Sequence, residues 1–384
     1  MNLALSVVRM ILAVVVLHTA VLAGGEKKDD NNVPTVPPPG VEPFAPRPLM
    51  DKLNERITTD NFKFAVFGDA KHAKTLPAFL KYLDETVNPD FVLTTGDMVK
   101  SGGGKVGPGY YEMYAKEAGD AMRKRAWWPA IGNHEIAGAP IVGKEAQKDD
   151  SETMRKNKES GAAHFKQFYA LDDDHYSFTF RNCTFIALPF PLPKGAQIKW
   201  LEDELKKARE AKKHIIVFNH APFFTVGQKS KKDIPNTETE ITKLFQKYGV
   251  NAVFSGHDHG YYRTVRSGIP YFTSAGGGAD IYPGKRVNEA LKEDVYYYGV
   301  PNTFPRTTSK DTTPDPLVDP EPDPKEEAKS AKKRYMLHKN DGTPNRVTEG
   351  MEQFLSVVEV NGDKIVCTCY STKGDKWDEI VLSK

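Results

Sequence analysis

Several absences narrow the reading first. Cysteine is scarce: the 384 residues hold three, Cys183, Cys367 and Cys369. An odd count leaves at least one thiol without an intrachain partner. Cys367 and Cys369 share a strand face and Cys183 lies in another expected strand, so one bridge and three small buried hydrophobes both stay open. Charge of one sign is lacking too, with 53 Lys and Arg against 51 Asp and Glu. Net charge therefore argues for no polyanionic partner, and no nucleic-acid-binding surface is evident. The glycine-rich stretch 101–109 lacks the Gly-Lys-Ser/Thr ending of a phosphate-binding loop and reads as a flexible rim loop. The N-terminal apolar run, residues 10–21, falls short of the roughly 20 residues that span a bilayer.

That run follows Arg9, is interrupted by His18 and Thr19, and leads into Val21-Leu22-Ala23-Gly24, small residues of the kind a signal peptidase needs. Residues 1–23 read as a cleaved secretory signal, with an uncleaved anchor as the alternative. The expected location is secreted or periplasmic, with no stable membrane span after cleavage. Residues 24–60 are polar and proline-rich and read as a disordered linker. Residues 61–283 carry the apolar patterning of a folded core. Residues 284–350 alternate acid and proline, as in Asp315-Pro316 and Asp319-Pro320, and read as an exposed, partly disordered insertion. Residues 351–384 return to strand patterning and are expected to complete the core. Nothing in the sequence sets an oligomeric state.

Within the core one grammar recurs: an apolar strand, a glycine, then a polar side chain. Residues 62–67 run into Gly68-Asp69-Ala70-Lys71-His72, and residues 90–95 into Gly96-Asp97. Between them residues 76–85 read as a helix, with Leu76, Phe79, Leu80 and Leu83 at helical spacing. An aspartate alone is more often a turn or cap residue than a ligand. Two in one register, a strand–helix unit apart, are harder to dismiss. Trp127-Trp128-Pro129-Ala130-Ile131 leads to Gly132-Asn133-His134-Glu135, residues 215–218 to Asn219-His220, and residues 251–255 to Gly256-His257-Asp258-His259. Residues 143–160 are charged and read as an exposed excursion. Hairpins are expected over 176–188 and 261–273, and strands over 354–360, 364–370 and 377–382.

Collected, the strand-end residues are Asp69, Asp97, Asn133 with His134, His220, and His257 with His259. Setting His134 aside, three imidazoles, two carboxylates and an amide oxygen form a mixed N/O set suited to Zn, Mn or Fe. Six donors exceed the needs of one tetrahedral ion, so two ions sharing a carboxylate is the simplest arrangement. Ions about 3.5–4 Å apart suit in-line displacement at phosphorus.

In these motifs, and in Gln197-Ile198-Lys199-Trp200-Leu201 and Val217-Phe218-Asn219-His220-Ala221-Pro222, the sequence resembles the calcineurin-like metallophosphoesterase superfamily, in its purple acid phosphatase-like branch. The resemblance covers about residues 62–279. It implies an α/β fold, a four-layer αββα sandwich of two mixed β-sheets flanked by helices. It implies an exported hydrolase of a small phosphoester, using two divalent ions and a metal-activated water. Asp97 would bridge the ions, Asp69 and His259 would hold one, and Asn133, His220 and His257 the other. His134 would be the catalytic histidine that binds no metal, and Glu135 and Asp258 would orient imidazoles. The family's Asp-x-His is broken here, because Lys71 stands at the histidine position and His72 one residue beyond it. The site of Asp69 and His259 is thus short of a ligand, to be served by water or by a harder ion such as Mn, Mg or Ca. The purple acid phosphatase tyrosine, three residues after the bridging aspartate, is Lys100 here, which speaks against a tyrosinate-iron centre. A catalytically impaired metal-binding or recognition protein on the same scaffold is the alternative, with Lys71 as the cause.

Overall fold

The computed structural model describes residues 42–71, 73–137, 151–225, 238–281, 295–299, 334–338, 346–349 and 351–383. The expected signal (1–23), the first part of the expected linker, most of the insertion and His72 lie outside the described residues. No described helix is long and apolar enough to cross a membrane.

The chain builds two mixed sheets. The first holds β1 (Asn61–Phe67), β2 (Phe91–Thr94) and β3 (Trp127–Pro129) in parallel. The C-terminal strands β13 (Phe354–Asn361), β14 (Lys364–Ser371) and β15 (Lys376–Val381) extend it, giving the order β15-β14-β13-β1-β2-β3. β1 is therefore central, parallel to β2 and antiparallel to β13, with Phe64 opposite Phe91 on one side and Val358 on the other. The second sheet contains a hairpin, β4 (Tyr176–Phe180) and β5 (Cys183–Ala187), then β6 (His214–Phe218) and β7 (Ala252–Ser255). A second hairpin, β8 (Tyr261–Arg266) and β9 (Ile269–Ser274), pairs with β7 through β9.

Strands β5, β6 and β7 are apolar along their length because both their faces are buried. Alternate residues serve different interfaces. Phe185, Ile216 and Phe254 point into the core between the sheets, where Phe185 meets Phe64 edge-on at 5.3 Å between ring centroids. Ile186, Val217 and Val253 point the other way, onto Leu201 and Leu205 of helix α6 (Ala196–Glu210) and Ile241 and Phe245 of α7 (Glu240–Tyr248). On the far side of the first sheet Phe67 packs on Phe79 of α2 (Leu76–Tyr82). Helix α3 (Gly107–Lys124) lies beside it. The order of layers is helix, sheet, sheet, helix.

Four expectations change. Within the stretch read as linker, Pro46–Arg56 is a helix, α1. Its prolines sit in the first turn, where a missing N–H leaves no hydrogen bond unmade, and Met50 and Leu53 are buried. Phe44, just before it, packs in a tilted pair with Phe168 of α5 (Ser151–Tyr169), ring centroids 4.9 Å apart; that helix also takes up residues 151–160 of the expected excursion. Within the charged insertion, Val295–Gly299, Arg334–His338 and Arg346–Glu349 are strands β10, β11 and β12. They lengthen the second sheet to nine strands by pairing outward from β8. The glycine-rich loop is packed, not free. A Cβ on Gly102 would stand 2.3 Å from the Glu135 carbonyl, and Gly102 N–H donates to His134 O at 2.8 Å. Glycine is needed there because two backbones touch.

Candidate metal centre

The polar side chains lie where the parallel strands of both sheets end, the edge at which open α/β sheets bind ligands. After β1, β2 and β7 the backbone turns abruptly: Asp69, Asp97 and His257 have φ of 59°, 55° and 68°. Few non-glycine residues adopt this conformation, and it aims their side chains back across the strand ends. The glycine before each of these three residues makes room for this. A Cβ on Gly132 would lie 2.3 Å from Asp97 Oδ1, and one on Gly256 2.5 Å from Asp69 Oδ2.

Four donor atoms converge on one point. His220 Nε2 lies 2.9 Å from Asn133 Oδ1, 3.0 Å from His257 Nδ1 and 3.2 Å from Asp97 Oδ1. The second grouping shares Asp97. Asp69 Oδ1 is 3.3 Å from His259 Nε2 and, among the described residues, takes no hydrogen bond. Its other oxygen accepts the His257 backbone N–H at 3.0 Å and ties the two sheets together. Lys71 Nζ stands in this grouping, 2.9 Å from His259 Nε2 and 3.3 Å from Asp97 Oδ2.

Carbonyl oxygens fix which imidazole nitrogen is free. His220 Nδ1 faces Thr95 O at 2.8 Å, His259 Nδ1 faces Asp280 O at 2.6 Å, and His134 Nδ1 faces Lys100 O at 2.5 Å. A carbonyl can only accept, so each Nδ1 carries the hydrogen and each Nε2 turns to the site. Burial pulls the pKa of His220 down, but the Asp97 carboxylate outweighs it by charge and hydrogen bond and lifts the imidazole to about 9. Asp97 is itself buried, yet His220, His134 and Lys71 hold it well below the usual carboxylate range. His134 differs from the other imidazoles. Its side chain is 25% exposed where that of His220 is fully buried, and its Nε2 is 3.8 Å from Asp97 Oδ2.

Glu135 does not act as expected. Glu135 hydrogen-bonds no imidazole among the described residues; its buried carboxylate accepts the backbone N–H groups of Asp97, Met98, Val99 and Gly132. Burial and the nearby Asp97 charge push its pKa up to about 7, against the pull of those donors. It shapes the Asp97 loop. Asp258 accepts a hydrogen bond from Thr225 Oγ1. The carbonyls of Thr95, Lys100 and Asp280 escaped sequence reading because backbone oxygens carry no sequence signal. Phe190 did too: its ring stands 5.6 Å from that of His220 and 6.1 Å from that of His257.

Residues 62–261 match a family model described as calcineurin-like phosphoesterase. The chain belongs to that family. This calcineurin-like phosphoesterase is 26% identical over 210 residues to the probable purple acid phosphatase 20 of Arabidopsis thaliana, an alignment covering 53% of this chain and 47% of that one. It is 31% identical over 142 residues to the serine/threonine-protein phosphatase CPPED1 of Rattus norvegicus, covering 33% and 39%. It thus spans less than half the length of these curated relatives. Among solved structures, purple acid phosphatase PPD1 from yellow lupin (Lupinus luteus) seeds superposes on 85% of this chain and 54% of its own, with a TM-score of 0.53 and 13% identity. PhoD does so over 83% and 72%, with a TM-score of 0.51 and 10% identity. Both are likenesses of fold.

Proposed function

We propose that this phosphoesterase hydrolyses a small phosphoester with a divalent ion held by Asp97, Asn133, His220 and His257. The observation that carries the reading is the meeting of four donor atoms from four separate loops within about the spacing of ligands around one ion. Their chemistry fits Zn, Mn or Fe: two imidazole nitrogens, a carboxylate and an amide oxygen. Three of the four side chains are buried, so their mutual approach is set by the fold and not by solvent. A bound divalent ion would polarise phosphoryl oxygens and make coordinated water acidic near neutral pH.

The chain's own residues do the rest. Thr95 O holds His220 so that Nε2 faces the other donors, a partnership typical of ligating histidines. His134, a quarter exposed and anchored through Lys100 O, is suited to stand beside the substrate phosphate and pass a proton from Nε2 to the leaving oxygen. Asp97 would serve on both sides of the site, as its two oxygens face different groups of donors. The reading includes export, on the strength of the apolar run at residues 10–21 and the small residues that follow it.

The test is turnover of an aryl phosphate and its diester by the metal-loaded chain, with elemental analysis alongside. His134→Ala should leave the ion content unchanged and slow kcat by about 10²–10⁴-fold, the usual worth of positioned acid–base help. Loss of the ion in that variant would make His134 a ligand and overturn the assignment. Metal binding with no hydrolysis of any phosphoester would favour a recognition role on the same scaffold.

A further inference from the structure

Family resemblance calls for a second ion on Asp69, Asp97 and His259, and the residues present do not fit one. The three donor atoms are in place, but the space they share is entered by the side chain of Lys71. Its Nζ approaches His259 Nε2 to 2.9 Å and Asp97 Oδ2 to 3.3 Å, and the lysine is 2% exposed. The hydrogen-bond sense is settled by the neighbours. His259 Nδ1 already donates to Asp280 O, so Nε2 offers its single lone pair and the ammonium takes it. An ammonium has no lone pair to give a metal. It uses up the imidazole lone pair and the carboxylate oxygen that the ion would need.

We infer that this chain carries one metal ion, with the Lys71 ammonium standing as a built-in second cation between His259 and Asp97. The backbone commits the side chain to that place. Lys71 has φ of 46°, and its N–H donates to Asp97 O at 3.2 Å, so the loop after β1 is pinned to the loop after β2. Charge points the same way. Two carboxylates, Asp69 and Asp97, face the pair of sites; one divalent ion and one ammonium already exceed their charge, and a second divalent ion would have to sit against the ammonium in a buried, low-dielectric pocket. Among the described residues Asp69 Oδ1 takes no hydrogen bond, so the donor set of the second site survives, with residue 71 altered. A bridging carboxylate thus becomes a carboxylate shared between an ion and a lysine. In that position the ammonium supplies fixed positive charge beside the substrate phosphate without any exchange with solution.

This inference rests on the proposed metal centre, and counting ions separates the two. The full chain is dialysed against Zn²⁺ and, separately, Mn²⁺, and its metal content measured by elemental analysis. The expected result is one ion per native chain and two per Lys71→His chain. Loaded with Mn²⁺, the native protein should give an uncoupled mononuclear EPR spectrum and the variant a spin-coupled one. Lys71→Met, which removes the charge and keeps the length, should retain one ion and lose turnover at least tenfold in kcat. Two ions per native chain would overturn the inference and leave the hydrolase reading standing. One ion in both the native and the Lys71→His chain would also overturn it, since Lys71 would then not be what holds the second ion out. No ion in the native chain would sink the metal centre and this inference together. One ion without phosphoester hydrolysis would refute only the hydrolase.

Discussion

Replacing Glu135 with glutamine tests whether the shape of the Asp97 loop, and not only its ligand atoms, makes the site. The carboxylate accepts four backbone N–H groups: Oε2 takes Asp97 and Gly132 at 2.8 Å each, and Oε1 takes Met98 and Val99 at 2.7 and 3.3 Å. Glutamine keeps the volume but turns one oxygen into a donor. Whichever way the amide faces, two buried N–H groups then lose their acceptor and meet another N–H. At about 1–3 kcal/mol for each unsatisfied donor, the loss is on the order of 2–6 kcal/mol. That is a large share of the roughly 5–15 kcal/mol that holds a native protein together. With about 2 °C per kcal/mol in a large domain, Tm should fall on the order of 5–10 °C. Metal affinity should drop about 10–100-fold, as for other groups that hold a ligand in place. Differential scanning calorimetry of the metal-free chain and a competitive chelator titration read the two effects. A Glu135→Gln protein with unchanged Tm and unchanged affinity would refute the account of this loop.

Two further outcomes test the packing around the site. Gly132→Ala should keep the fold and lose the ion, because the new Cβ would fall 2.3 Å from Asp97 Oδ1; elemental analysis beside a circular dichroism spectrum checks it. The buried pair of Arg263 in β8 and Asp378 in β15 joins the two sheets, with Tyr261 O–H donating to the same carboxylate at 2.6 Å. Asp378→Leu alone should destabilise the chain by about 3–5 kcal/mol, whereas adding Arg263→Met should recover most of that loss, measured as denaturant midpoints.

The sequence was most informative where one residue type has few uses. An apolar strand ending in a polar side chain, with a glycine between them at Asp69, Asp97, Asn133 and His257 and an asparagine at His220, marked loops that do converge, because strand ends in the same register share an edge. It was less informative where the chemistry belongs to the backbone, as in the carbonyls that orient His134, His220 and His259. Composition misled in three places. Prolines at 46 and 48 sit in a helical first turn; acid and proline between 284 and 350 hid strands whose neighbours supply the apolar contacts; and the glycines of 102–107 serve close packing. Glu135 was read from the residues beside it, while three of its four partners lie 36–38 positions back along the chain. Lys71 is the opposite case. Its departure from the expected histidine was plain in the sequence, and only its distances give the departure a chemical meaning.

The strand that presents Asp69 is hydrogen-bonded along one edge to residues 354–361, some three hundred positions later in the chain. During synthesis that edge has no partner until residues 354–361 emerge, and an apolar strand with an open edge invites pairing with other chains. The carboxylate at its end is therefore held in final register only once that later strand has been made. Assembly of the centre in this sense waits on a distant strand, and removing residues 354–361 would disturb a site to which they contribute no ligand.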